Sequence, residues 1–520
     1  MKRFKYYIAS ALILAGCDGK LDLTNPNAPT TATYWKTADQ AFAGITGVYN
    51  ALTVDGTYMR TFPSFSDSRG DDFKGDSPAT YLELAGKFSI PVTANEVQWI
   101  WRDFYSLIFR ANQVIEYVGN MENGILDQES KDRILGQAYF LRGLAYYNLA
   151  LTFKAVPVII EVPKTQENYY PATASEETLW NQIFTDLETA EGLLPLSYDN
   201  VNGPDKGQKG RATKGAAAGL LGKAYLYKKD YQKAATQFEK FFFGPLKGIY
   251  RLMSDYRDNF KSSKETENNA ESLFEVQFST EGGSVNNWAG EPNANWRQFS
   301  GLSVAYAMDG KGWSDYLPTR WIYNEFKIEK TTDGKSDPRL LATIASYEPA
   351  DNSVNAYGMP WSFAQNAIYP RKYTNDGLGA TTDSAPELTG GINYRVLRYA
   401  DILLMYAEVL NELGRTNEAY PYIQQVRTRA KLPDLAVVKP GMNQVQMRDQ
   451  IAHERALEFA IEGQRIQDII RWGWLYDADK LAMLKEHDSD FETWRAGKEY
   501  LPIPQSELNA NKNLAPNPAN

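Results

Sequence analysis

The sequence predicts a mostly α-helical fold in which tetratricopeptide-like helical hairpins form a scaffold and a loop-rich, few-stranded segment is laid upon it. Three observations support this. Apolar residues recur at three- and four-residue spacing over long stretches of both halves of the chain. Small, aromatic and alanine positions in residues 220–238 fall at the same offsets as Ala407, Leu410, Ala419 and Ile423, as in stacked hairpin repeats. Between residues 242 and 393 the helical period collapses into short pieces rich in Gly, Asn, Pro and Trp.

The chain opens with the basic Met1-Lys-Arg-Phe-Lys5, a short apolar run and Leu14-Ala-Gly-Cys17. This reads as a secretion leader over residues 1–16, too short to span a bilayer as a stable helix. Cys17 stands where a lipoprotein leader is cut, and its sulfur would form the thioether that carries lipid. The alternative is an ordinary leader with an incidental cysteine. Residues 17–33 are polar and contain Pro, and they read as a lipidated tether to a folded part over residues 34–520.

Residues 38–52 place Phe42, Ile45, Val48, Tyr49 and Leu52 on one helical face, and residues 101–118 do the same with Phe104, Tyr105, Ile108, Val114 and Ile115. Between them Ser66-Asp-Ser-Arg69, Asp71, Asp72, Phe73, Tyr81 and Asn95 form a polar and aromatic excursion longer than a connection requires, expected to be a surface loop. Residues 134–153 are helical and pass into an extended strand around Val156-Pro-Val-Ile-Ile160. Leu220 to Tyr227, then Asp230-Tyr-Gln-Lys-Ala234 and Phe238, form the next hairpin. In the loop-rich part, residues 272–279 are expected as a strand.

Residues 398–413 bury Ile402, Leu403, Tyr406, Val409, Leu410 and Leu413, with Gly414 ending the helix. Thr416 is placed to cap a partner helix carrying Ala419, Tyr422, Ile423 and Val426, which short-loop logic packs antiparallel. Residues 451–472 are expected as one more helix, threading Glu454, Arg455, Glu458, Glu462, Arg465, Asp468 and Arg471 between apolar positions.

Glu454, Glu458 and Glu462 share a face and could be read as the acid and base of a glycosidase. Interleaved with arginines, they are more economically a cross-paired structural network. A net charge of −9 and a pI of about 5.2 weigh against nucleic-acid binding. One Cys and two His, with His453 and His487 far apart in sequence, leave no Cys/His metal framework, and no metal or cofactor is expected. No phosphate loop, dinucleotide fingerprint or nucleophile elbow is present.

Several stretches resemble the SusD/RagB family of nutrient-binding outer-membrane lipoproteins. These are Arg398-Tyr-Ala-Asp-Ile-Leu-Leu-Met-Tyr-Ala-Glu408, Gln425-Val-Arg-Thr-Arg-Ala430, Glu454-Arg-Ala-Leu-Glu458, Glu462-Gly-Gln-Arg-Ile-Gln-Asp-Ile-Ile-Arg-Trp472, residues 134–150 and the closing Tyr500-Leu-Pro-Ile-Pro504. The resemblance implies a lipid-anchored protein on the outer membrane, facing the exterior, that captures oligosaccharide and delivers it to a SusC-like TonB-dependent transporter without catalysis. A peptide-binding role of the RagB type is the alternative the resemblance leaves open, and a surface glycosidase is a further one.

The resemblance places binding loops before the Trp101-Arg-Asp-Phe-Tyr105 motif and within residues 242–393. There Trp288, Trp296, Trp313 and Trp361 lie outside any helical stripe beside Asn, Gly or Pro. Sugars offer C–H faces to aromatic planes and hydroxyls to polar groups, so these four with Tyr81, Asp67 and Arg69 are the expected ligand-binding residues. The competing reading is that each Trp pins a loop. The lipid on Cys17 is the sole membrane-binding element legible here, so Cys17→Ala should convert the protein from membrane-bound to soluble without unfolding it, as read by fractionation and circular dichroism.

Overall fold

The computed structural model describes residues 34–76, 79–263, 265–279, 299–374, 376 and 390–517. Amphipathic and apolar helices dominate, and several begin where a short polar side chain takes up an orphan amide. Helix α1 (Ala38–Asn50) has a capping box between Thr37 and Gln40. Then come α2 (Thr61–Asp67), β1 (Phe73–Gly75), α3 (Thr80–Gly86), α4 (Asn95–Gly119) and α5 (Gln128–Phe153), the last capped by Asp127. Ser175, Thr213 and Asp230 cap α6 (Glu176–Leu193), α7 (Lys214–Tyr227) and α8 (Tyr231–Phe242).

The α7–α8 hairpin is close-packed because α7 is built from small residues. A Cβ at Gly222 would sit 2.5 Å from the Phe238 ring of α8, and one at Gly219 would meet Leu273 and Leu397 at 2.8 Å. Strand β2 (Ser272–Val276) pairs antiparallel with β6 (Tyr394–Arg398), beneath α7. Between them lie β3 (Tyr316–Pro318), β4 (Ile344–Ser346) and β5 (Ile368–Pro370). β1 pairs with β3 and β4 with β5, so the early excursion is zipped to the loop-rich part.

The second hairpin is α9 (Tyr399–Glu412) and α10 (Thr416–Arg429), reversed at Gly414 with φ of +77°. Arg415, not Thr416, occupies the cap position, and the Thr416 hydroxyl donates to Asn411 instead. The final helices are α11 (Gln444–Phe459), α12 (Arg465–Trp472) and α13 (Ala478–His487). One hydrophobic core runs from Ala41 to Ile503 and takes in side chains of both hairpins and of the loop-rich part.

Three expectations need correction. Residues 154–160 are extended but pair with no strand, because Tyr105, Asn112 and Tyr146 side chains satisfy the backbone there. The excursion around residues 61–72 is not a surface loop: Ser66, Asp67, Ser68, Arg69, Asp71 and Asp72 are all buried, and α2 runs through it. Nor is 451–472 one helix. It breaks after Phe459, Ile461 takes a left-handed φ of +56° and Gly463 one of +68°. The amides freed by the break are captured: Ile461 donates to Asp72 Oδ2 at 3.2 Å and Gly463 to Asp67 Oδ1 at 2.6 Å.

The expected ion-pair network is present and larger than the spacing suggested. Arg398 donates to both oxygens of Glu462 at 2.8 and 2.9 Å, to Glu458 at 2.9 Å and to Glu271 at 2.6 Å. Arg429 joins Glu271 to Glu458, and Arg339 holds Asp337, Glu454 and Glu458. Lys372 donates to Glu462 at 2.8 Å. Burial alone would push the Glu458 carboxyl up, but the guanidiniums of Arg429, Arg398 and Arg339 hold it at about 2. Arg398→Ala would remove the one cation shared by Glu271, Glu458 and Glu462 and leave the buried set with an excess of negative charge, and a loss of about 3–5 kcal/mol of unfolding free energy is expected in a urea titration.

Candidate functional site

A cleft of about 680 Å³ opens over the β1–β3 ladder, between β5 and the end of α13. Lys74 of β1, Asp76, Asp309, Arg320, Tyr369 of β5 and His487 line it. The wall at His487 is built from below. Its Nδ1 lies 2.7 Å from Asp71 Oδ2, and its ring stacks on Trp321 with centroids 4.1 Å apart and planes 10° from parallel. Asp71 in turn accepts from Arg465 Nη2 at 2.9 Å. Burial raises the Asp71 carboxyl, but Arg465 and His487 outweigh it and hold it at about 2.

The opposite wall is aromatic. Tyr369 packs against Phe363 (centroids 5.0 Å) and Trp361 (6.4 Å), and Trp361 against Tyr347 (6.5 Å). This ledge rests on Met308, Ala345 and Ala356. Met308 leads directly into Asp309, whose carboxylate, second to burial, raises the Tyr369 phenol. The same loop carries Trp313, 38% exposed. A Cβ at Gly312 would fall 2.3 Å from the Val304 carbonyl, so only glycine permits the turn that presents this ring.

Of the expected ligand-binding residues, Trp313 and Trp361 are thus brought to neighbouring segments beside the cleft, and Trp361 also pins its loop by donating Nε1 to the Ala364 carbonyl at 3.2 Å. Trp288, Trp296 and the lipidation residue Cys17 lie outside the described residues. Tyr81 does not line the cleft; its ring stacks on Phe65 and its hydroxyl accepts from Arg60 at 3.1 Å. Asp67 and Arg69 are corrected outright. Asp67 is buried, accepting from Tyr306 at 2.6 Å as well as from Gly463. Arg69 is buried and donates to the Glu499 carbonyl. Neither lines the cleft.

The glutamates of the glycosidase alternative are equally remote: Glu454, Glu458 and Glu462 are buried and held by arginine or lysine. His453 is paired with Glu325 at 2.7 Å. Among the described residues no group of His, Cys, Asp and Glu could hold a metal ion, and no helix is long and apolar enough to cross a membrane.

Two family models match the chain. One, described as the SusD family, matches residues 270–519, and the other, described as starch-binding associating with outer membrane, matches residues 21–226. The chain belongs to the SusD family. A SusD superfamily protein from Bacteroides vulgatus has the same fold, with a TM-score of 0.79 and 27% identity over 94% of this chain and 100% of that one. A structure described as a laminarin-binding SusD-like protein is also 27% identical, covering 93% of this chain and 100% of the other, with a TM-score of 0.74. SusD-like protein P2 of Formosa agariphila is 25% identical over 535 residues, 99% of each chain.

In this SusD family member, Tyr369, Asp309 and His487 are cleft residues that sequence reasoning passed over. Tyr369 lies in the same loop-rich stretch as Trp361, and its aromatic ring was the one signal that could have found it. His487 gave no signal, since Asp71 and Trp321 reach it only through the fold.

Asp67 supplies a test of its reassignment. Burial pushes its carboxyl from 3.8 up to about 8, opposed by the Tyr306 hydroxyl and assisted by Asp72. The folded chain therefore keeps a proton that the unfolded chain releases from about pH 4 upward. The contribution to stability is full below the unfolded value and is lost progressively as pH rises to about 8. Asp67→Asn, which preserves an acceptor for Gly463, should flatten that part of the pH profile in urea denaturation at pH 5 and pH 8, with glycan binding unaltered.

Proposed function

We propose that the protein is a surface glycan-binding lipoprotein that captures oligosaccharide in this cleft and delivers it to a SusC-like TonB-dependent transporter. The observation that carries the reading is the aromatic ledge of Trp361, Phe363 and Tyr369 continuous with a cleft whose lining is polar and carries both signs of charge. A sugar ring needs both surfaces, a flat apolar plane and nearby groups that donate and accept hydrogen bonds. Asp309 with the Tyr369 hydroxyl, and His487 backed by Asp71, are the polar partners this assigns.

The helix glutamates that the sequence offered as acid and base are held in buried ion pairs away from the cleft, which supports binding over turnover by them. The chain is held on the outer membrane by lipid on Cys17, in keeping with the outer-membrane description of the family model that matches its N-terminal half. The laminarin-binding relative makes laminarin oligosaccharides the first ligands to test.

Truncating one ring that stacks on sugar removes about 1–2 kcal/mol. Tyr369→Ala and Trp313→Ala should each weaken binding about five- to thirtyfold by calorimetric titration with an unchanged melting temperature. Trp361→Ala should weaken binding and lower the melting temperature together, because that ring both packs against Tyr369 of the cleft wall and holds its loop. Normal binding in all three variants places the site elsewhere.

A further inference from the structure

Most exposed apolar side chains of this protein are scattered, which is ordinary for a soluble surface. One set is gathered on α4. Tyr105, Phe109, Asn112 and Glu116 follow one another at spacings of four, three and four residues, and so share a face. Residues 157–164 are laid along that face. Tyr105 donates to the Pro157 carbonyl at 2.7 Å, Asn112 to the carbonyls of Ile159 and Glu161 at 3.0 and 3.3 Å, and Lys164 pairs with Glu116 at 2.8 Å.

The strip built in this way leaves four large apolar side chains in solvent: Phe109 (43% exposed), Ile160 (46%), Tyr169 (61%) and Tyr170 (42%). Phe109, Tyr169 and Tyr170 share the wall of a shallow cleft of about 440 Å³ with Ile159 and Leu514. None of these residues belongs to the glycan cleft.

The strip ends where the chain enters the fold. Trp35 stacks on Tyr117 of the same helix, centroids 5.5 Å apart and planes at 15°. Tyr117 lies eight residues beyond Phe109, about 12 Å along the helix axis. Residues 18–33, which separate Tyr34 from Cys17, reach at most ~55 Å when fully extended. A lipid on Cys17 therefore keeps this end of α4, rather than the far side of the protein, tethered within that distance of the bilayer.

We propose that this strip is the face the protein lays against the lipid surface that holds its anchor. The proposal rests on the lipoprotein reading of Cys17. Tyrosine and phenylalanine suit the headgroup layer, where a ring can enter the apolar boundary while the phenol stays wet. The strip is too small to hold the protein alone. Once the anchor supplies a high local concentration, it sets which way the molecule faces.

In the mature protein Cys17 carries the lipid, so a cysteine introduced elsewhere is the single free thiol. Lipidated protein with Tyr169→Cys or, as a distant control, Val437→Cys is labelled with a fluorophore and reconstituted on phosphatidylcholine–phosphatidylglycerol vesicles containing nitroxide-headgroup lipid. Val437 is exposed on the short helix Leu435–Val438. The probe at 169 should be quenched at least threefold more than the probe at 437. Adding Phe109→Ser and Tyr170→Ser should remove the difference while the protein still floats with the vesicles.

Equal quenching at the two positions overturns the proposal. So does quenching that rises with protein density, which assigns the strip to a second copy, or shielding of residue 169 seen in native outer membranes and absent on vesicles, which assigns it to a protein partner. Failure to float at all is a separate result: it removes the anchor, and the proposal falls with it.

Discussion

The fold depends on a ladder of buried carboxylates. Glu454 and Glu458 of α11 and Glu462 just beyond its end lie inside the protein, and each must be neutralised there because an isolated buried charge costs several kcal/mol. The cations that do so come from distant parts of the chain: Arg339 and Lys372 from the loop-rich segment, Arg398 from β6, and Arg427 and Arg429 from α10. Glu271, just before β2, closes the set. The network is what fastens irregular chain to helical scaffold, and it fixes geometry more than it adds stability, since an apolar interior would hold as well but would specify less.

The helical scaffold was legible because its signals are local. The apolar stripes of residues 38–52, 101–118 and 398–426 each repeat within a few residues, and the helices found there carry them. The two principal misreadings have one cause. Asp67 and Asp72 looked like loop residues and residues 451–472 looked like a continuous helix, yet the acids are buried because they receive the amides that the helix break releases. Neither half of that contact is visible without the other.

The cleft was legible only in part for a similar reason. An exposed aromatic in irregular chain can be picked out, and Trp313 and Trp361 were. Which polar groups stand beside them is set by tertiary packing: His487 reaches the cleft wall because Trp321 stacks beneath it and Asp71 holds its ring nitrogen. Charges that look available in sequence, such as Arg69, are spent on the interior.

The contacts of Asp67 and Asp72 with the Gly463 and Ile461 amides join positions 396 and 389 apart in the chain. Closing such a contact requires nearly the whole polypeptide to be present, and long-range closure is slow relative to helix formation. The hairpins can form as each is synthesised, but the N-terminal acids stay without their partners until the last fifth of the chain arrives. Completion of the structure is thus tied to completion of the chain, and a molecule truncated before Ile461 carries, at its heart, two acids without the backbone amides that would close upon them.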